Sequence, residues 1–499
     1  MNRRVAVLMV LSFVFLLSTR GFASPLDEEL QKLRQAGVPT TLEELNLPEI
    51  PDSENGALVY KEAFKLIDDL VQKYRKEFEY MPYNGRVSGG WEKTPEEWKK
   101  EIADLIPLHP SLSPEDRGDP EEWKKKIVGL ILHNPDFARV YQLLGKASDT
   151  KCRFYTEKGV RNEFGRLDPD PYSKLRLIAR MLAEKAKIEA DYGDFNKSLA
   201  AILTGLKVAK SLSNEPSVLA QLVRMAIDSI ALGELQKNIN KKEAEPGLYL
   251  LLIKEMEAER RQNVSYFGLR SEYLEFWVPA SSNFRKIAGR SFEFTEEDRK
   301  ELEERWKNVP NYPTDRMIEK EKWWRETYKE VYLKSKCKNV DDFLKEQELF
   351  YLKILIKALP LLQKPYWETR QELKNIEVEI EKAPKEKALL TCYSSFVSSA
   401  CTYLQEARTD AYLGAAELGL ANRIYRQKHG KFVDSLNQLT PEILPVLPLD
   451  PFTGKDYVYR KKGKGFIVYS VADNLKDDSG IPQFSEQGKK GDFDIVWEE

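Results

Sequence analysis

The sequence predicts a mainly α-helical chain that ends in a small α+β segment. Three observations predict it. Apolar residues recur at helical spacing from about residue 25 to residue 428. Capping residues bracket most of those runs. Beyond them the period changes to two in DYVYRK and GFIVYSV, with turn residues crowded between. The expected organisation is a signal segment at 1–23, a helical bundle or solenoid-like region at 24–388, and an α+β domain at 389–499.

The first 23 residues read as a secretory signal. Arg3 and Arg4 form a basic start, VAVLMVLSFVFLL is an apolar core, and Gly21 and Ala23 are the small residues before Ser24. The core is shorter than the roughly 20 residues of a membrane span; an uncleaved anchor is the alternative. Cleavage removes three arginines and no acid, leaving 75 cations against 80 acids.

Ser24 then caps a helix with Pro25 at its first position, ending at Gly37. Thr41 to Glu44 is a second capping box. Asp52 or Ser53 is the expected cap of a helix running to about Phe78. A short internal repeat follows. Thr94-Pro95-Glu96-Glu97-Trp98-Lys99-Lys100 is echoed by Asp119-Pro120-Glu121-Glu122-Trp123-Lys124-Lys125, and each copy ends at a histidine near a proline, His109 and His133. A cation at a helix C-terminus explains those histidines more simply than a site does.

Residues 171–239 are the most regular stretch. Two helical runs flank Asp191-Tyr192-Gly193-Asp194-Phe195, and Gly193-Asp194-Phe195 with Ser198 and Leu199 resembles the turn of a tetratricopeptide repeat. One such helix pair is present, not an array. A third helix, about Pro216 to Ile239, is apolar nearly all round and expected to be central. Its Arg224 and Asp228 read as a buried structural pair, with the floor of a site as the alternative. From 254 to 385 charge signs alternate on amphipathic helices, with Trp306, Trp323, Trp324 and Tyr332 expected to face the core. The helix of FLKEQELFYLKILIKALPLLQK is expected to stop near Pro360 and Pro365, and EKAPKEKA at 381–388 reads as a domain junction.

A long helix from about Ser395 to Lys428 comes next, closed by Gly430. Asp434 or Ser435 caps a short helix, Asp450-Pro451-Phe452-Thr453-Gly454 is a turn, and the hairpin turns at Lys462-Gly463-Lys464-Gly465. An acidic loop, ADNLKDDSG, leads to a last strand in GDFDIVW. This order resembles the globular part of the type II secretion major pseudopilin. The matching residues are Tyr425 to Phe432, Pro448-Leu449-Asp450-Pro451, Tyr469-Ser470 and Asp492-Phe493-Asp494-Ile495. Val433 stands where that family has Pro. The resemblance implies a structural Ca²⁺ in the acidic loop. Asp473, Asn474, Asp477, Asp478, Asp492 and Asp494 would then supply the oxygens such an ion requires. The loop start, Ala472 to Leu475, and the insertion IPQFSEQGKK depart from the family pattern, and a loop closed by Lys489 or Lys490 without metal is the alternative. Pilus assembly is not implied, because the hydrophobic stretch lies before the cleavage site. The N-terminal half, through LPEIPDSENGALVYKEAF, CRFY, GDFNKSL and NEPSVLAQLVRMAI, is similar to exported bacterial proteins of planctomycete-like lineages, which implies no activity.

The four cysteines are Cys152, Cys337, Cys392 and Cys401. Nine helical residues separate the last two by roughly 13 Å, too far to bridge. Bridges would therefore join each of Cys152 and Cys337 to one of that duo; four free thiols are the alternative.

Function is the least determined property. The formal charge of −2 argues against a basic nucleic-acid binder. Three histidines exclude a histidine-rich metal site. Phosphate-loop, G-x-S-x-G, H-E-x-x-H and C-x-x-C motifs are absent. The sequence therefore points to a non-enzymatic binding or scaffold protein of the cell envelope, working with an envelope or secreted partner. It has no membrane span once the signal is removed. The alternative is a carboxylate-based hydrolase of wall or extracellular glycans, which a deep pocket with two buried acids and Trp walls would favour.

Overall fold

The structure is a computed structural model that describes residues 24–41, 44, 50–74, 125–148, 150–154, 170–260, 263–306, 314–392, 395–481 and 494–499. The signal segment, His109, almost all of the repeat pair and the insertion with Lys489 and Lys490 lie outside the described residues.

The chain is mainly helical with one small sheet. Helix α1 is Pro25–Gln35, where Ser24 and Asp27 make the expected capping box. Helix α2 is Gly56–Lys73. Its cap is Asn55, not Asp52 or Ser53, because those two residues form a 3-10 turn, Asp52–Glu54, ahead of it. A π-helical turn, Gly129–His133, leads to α3, Pro135–Ser148. Then come α4 (Asp170–Asp191), α5 (Phe195–Lys210), α6 (Val218–Asn238), α7 (Pro246–Arg260) and α8 (Val264–Leu269). A second π-helical turn, Tyr273–Trp277, precedes α9 (Val278–Gly289), α10 (Glu296–Trp306), α11 (Thr314–Ser335), α12 (Val340–Leu362), α13 (Tyr366–Lys382), α14 (Lys385–Cys392) and α15 (Ser395–His429). Helix α12 carries Pro360 in its last turn and ends at Leu362, between the two prolines expected to stop it. Strands β1 (Val458–Lys462), β2 (Gly465–Ser470) and β3 (Ile495–Glu498) form an antiparallel sheet in that order. Among the described residues, no helix is long and apolar enough to cross a membrane.

The chain forms two compact units. The smaller comprises 1–46, 270–361 and 372–397. Its centre is aromatic: Phe284 packs on Phe292, Tyr328, Tyr332 and Phe343, and Trp277 stacks on Tyr351. The buried Arg325 and Asp298 pair at 2.9 Å, joined by Arg290 at 3.0 Å. Trp323 departs from expectation. It is 55% exposed, lying edge-on to Trp324.

The larger unit comprises 47–269, 362–371 and 398–499. The junction expected at 388–389 falls inside α14, within the smaller unit. The α4–α5 pair turns on Gly193. Its φ of +86° suits glycine, and the backbone bonds Gly193 N–Ala190 O (3.1 Å) and Asp194 N–Glu189 O (2.9 Å) make a Schellman ending. Asp194 then caps α5. One apolar core joins α2, α3 and the first π turn to α4–α6. A second joins α4–α7 to α15 and the sheet. Two glycines of α15 make that second core close-packed. A Cβ on Gly414 would overlap the Tyr457 ring, and one on Gly419 would overlap the Trp497 indole. Tyr457 donates to the Ala411 carbonyl at 3.1 Å. Arg423 reaches Glu499 at 2.7 Å beneath the sheet end.

Cys152 and Cys337 are both free thiols, so the bridged alternative through them is not adopted. The side chains of Cys392 and Cys401 lie outside the described residues. Burial pushes the Cys152 thiol up to about 12.

Gly419→Ala is expected to destabilise the larger unit by about 1–3 kcal/mol in urea unfolding. Gly233→Ala, on α6 with nothing near its missing Cβ, is expected to gain up to about 1 kcal/mol. At pH 8 an alkylating reagent is expected to leave Cys152 unmodified until the chain is unfolded; rapid labelling of the folded protein would contradict the burial of that thiol.

Candidate functional site

A cleft of about 390 Å³ opens in the larger unit. Its walls come from the end of α7 (Arg260), Asn263, the segment 363–367 entering α13, one face of α15 (Tyr403, Glu406, Ala407, Asp410), and Leu449 and Pro451 of the Asp450 turn. Local sequence explains each wall. Leu362 ends α12, and Asn263 Nδ2 donates to its carbonyl at 2.5 Å. Pro365 precedes α13, so Tyr366 and Trp367 sit in that helix's first turn. Tyr403 donates to the Lys364 carbonyl. Its ring stands nearly perpendicular to Tyr366, with centroids 5.3 Å apart, and Tyr366 meets Phe452 the same way at 5.5 Å. Gly454 has φ +67° and lies directly against the Trp367 indole. Asp450 holds the turn by accepting from Ser470 Oγ at 2.8 Å and Phe452 N at 2.9 Å.

The polar side of the cleft belongs to a buried charge network. Arg224 of α6 donates to Glu259 of α7, with Nε to Oε2 at 2.8 Å. Arg260 donates twice to Glu417 of α15, at 2.8 and 3.1 Å. Glu406 accepts the Ser265 N–H at 2.8 Å. Lys210 holds Glu255 at 2.6 Å. Asp228 is only 2% exposed, and its Oδ1 has no hydrogen-bond partner among the described residues. The expected Arg224–Asp228 pair is therefore buried as foreseen, yet Arg224 is committed to a third residue, Glu259, on another helix. Burial, then Glu259, pushes the Asp228 carboxyl well above its ordinary range, against the pull of Arg224. Burial, then Glu406, does the same to Asp410 against Arg260 and Arg224. Glu259 is also raised by burial, with Arg224 opposing.

The residues expected to hold Ca²⁺ are distributed differently. Asp473 takes Arg408 through both carboxylate oxygens, each at 3.0 Å from Nη2. Asp477 takes Arg460 at 2.6 Å and the Tyr469 hydroxyl at 2.8 Å. Asn474 donates to Asp478 at 2.8 Å. The buried Asp494 accepts from Gly480 N at 2.7 Å and from Asp478 N at 3.4 Å. Asp492 lies outside the described residues. Asp473 and Asp477 are thus drawn to arginines, and among the described residues no three His, Cys, Asp or Glu side chains are arranged to hold a metal. The described donors alone do not complete the shell of six to eight oxygens that Ca²⁺ takes.

Sequence reasoning passed over the cleft acids. The available signal was periodic: Glu406, Asp410 and Glu417 recur at helical spacing beside Ala407, Ala411 and Gly414, placing carboxylates on the small-residue face of a buried helix. Trp367 and Tyr366 gave none, since only folding brings 366–367 to 403–410.

Comparison of the chain with protein-family models, with curated proteins and with solved structures finds no match.

Because the folded chain holds Asp228 more protonated than the unfolded chain does, its contribution to stability falls as pH rises from the ordinary aspartate range through the raised folded value. Asp228→Asn is therefore expected to raise the Tm at pH 8 and change it little at pH 5. Glu259→Gln, which leaves the Arg224 cation buried without its carboxylate, is expected to cost about 3–5 kcal/mol at pH 7. Thermal unfolding across that pH range checks both.

Proposed function

We propose that this chain is an exported binding or scaffold protein of the cell envelope, and that the cleft of Tyr366, Trp367, Tyr403, Glu406 and Asp410 holds its ligand or partner. The observation that carries this reading is the cleft: a few placed polar groups among aromatic walls, of a size that binding clefts share. The signal-like residues 1–23 support export. The pseudopilin-like order of the C-terminal segment supports a role exercised by contact. An envelope or secreted protein is the expected partner; the near-neutral charge gives nucleic acid no foothold. A photoreactive amino acid in place of Trp367, in residues 24–499, is expected to cross-link an envelope component. The same group at Trp323 is not. Equal yields at the two positions would remove the reading.

A second reading, a carboxylate-based hydrolase of glycans, is favoured by one observation. Glu406 and Asp410 lie one helical turn apart in the cleft, with Trp367 beside them. Side chains so spaced start about 5–6 Å apart at Cβ, and a retaining glycosidase needs its two carboxyl groups about 5–5.5 Å apart. Release of reducing ends from wall glycan, abolished by Asp410→Asn, would establish it in place of the first.

Ca²⁺ at the acidic loop belongs to the same proposal. Asp478 and Asp477 help burial to raise the Asp494 carboxyl, a repulsion a divalent cation would relieve, with Asp473 and Asp477 leaving their arginines. Millimolar Ca²⁺ is then expected to raise the Tm of the full chain; an unchanged Tm removes the ion.

A further inference from the structure

We infer that the cleft takes an ammonium group, carried by an aminoalkyl chain lying between Tyr366, Trp367 and Tyr403 with its cation against Glu406 and Asp410; this deepens the binding reading and rests on it. Charge balance is the first argument. Glu406, Asp410 and Arg260 line the cleft, and Asp410 feels Arg224, Glu259 and Asp228 beside it. Both guanidiniums are already engaged, with Glu259 and Glu417. Asp228 is left with an oxygen that is buried and has no hydrogen-bond partner among the described residues. A buried carboxylate without a cation is costly. Within the chain alone, protonation is the way to relieve it, as the raised Asp410 and Asp228 carboxyls indicate. A cation entering from solvent relieves it without a proton.

The walls are the second argument. Three aromatic side chains line one cleft with those acids, and ring faces attract cations, most strongly where water is excluded. An anionic ligand would meet the acids. A neutral one would leave Asp410 and Asp228 held by protons. Lys364, at the cleft lip, is exposed to solvent.

The groups facing Asp410 set the pH response. They are Glu406 on its own helix, Glu259 and Arg260 from α7, Arg224 and Asp228 from α6, and Tyr403 and Tyr457. Burial, then Glu406 and Glu259, hold Asp410 toward its protonated form against Arg260 and Arg224, so cation binding displaces a proton and affinity rises with pH.

Calorimetric titration of residues 24–499 with spermidine, and with the peptide acetyl-Gly-Lys-Gly-amide, tests the inference. Saturable binding is expected that tightens from pH 6 to pH 8 and releases a proton, read from heats in buffers of different ionisation enthalpy. Asp410→Asn and Glu406→Gln, each confirmed folded by thermal melting, are expected to weaken it about tenfold or more; Asp69→Asn, on an exposed face of α2, is not. Tighter binding of spermidine identifies a free polyamine, and tighter binding of the peptide identifies a lysine side chain. Amine binding that ignores both cleft variants overturns the inference as surface attraction. Binding of chitotriose with none of either amine overturns it too, while leaving the cleft a binding site. Silence from all three probes, together with no cross-link at position 367, overturns this inference and the reading beneath it.

Discussion

Helix α15 must be buried along most of its 35 residues, and the larger unit is arranged around that requirement. A helix enclosed on several sides needs small residues wherever a neighbour comes close. Ala407, Ala411, Ala415, Ala416 and Ala421 are all buried. Gly414 and Gly419 leave the gaps that Tyr457 and Trp497 of the C-terminal segment fill. On other faces α15 shares its core with α4–α7. The C-terminal α+β segment is therefore continuous in its apolar core with helices some 200 residues earlier in the chain, although its motif order reads as a self-contained unit.

The same enclosure accounts for the electrostatics. Glu406, Asp410 and Glu417 follow one another along the face of α15 that meets α6 and α7. Arg224 and Arg260 answer two of the carboxylates in that region, through Glu259 and Glu417. Such pairs contribute little net stability, because desolvation offsets most of their attraction, yet each partner is costly to remove alone. Burial and neighbouring acids raise Asp410 and Asp228, and Asp410 lines a cleft that also holds aromatic rings. The acidic loop shows the opposite balance: Arg408 and Arg460 reach its aspartates directly.

Much of the fold was legible. Ser24 and Ser435 are caps where local sequence places them, because a cap needs only its own few residues. The hairpin turns at Gly463 and Lys464 with the expected register, Lys462 opposite Gly465. Errors arose where a local signal had a competitor. Asn55 displaced Asp52 as a cap because a 3-10 turn took the earlier residues. The candidate site was hardly legible. Arg224 and Asp228 were noticed as a pair on one helix, but the partner that Arg224 takes, Glu259, lies 35 residues on.

What the sequence by itself determined is therefore local: the helical character, the caps and turns, the antiparallel hairpin, and the near balance of charge. These depend on interactions within a few residues, which spacing alone reveals. The tertiary structure decided the rest. It set Trp367 and Asp410 in one cleft, left Asp228 buried with an oxygen that has no hydrogen-bond partner among the described residues, and turned Asp473 and Asp477 toward arginines. Each of those outcomes depends on which distant segment supplies the opposing charge or ring, and the energy of a buried carboxylate is set by that neighbour rather than by its own position in the chain.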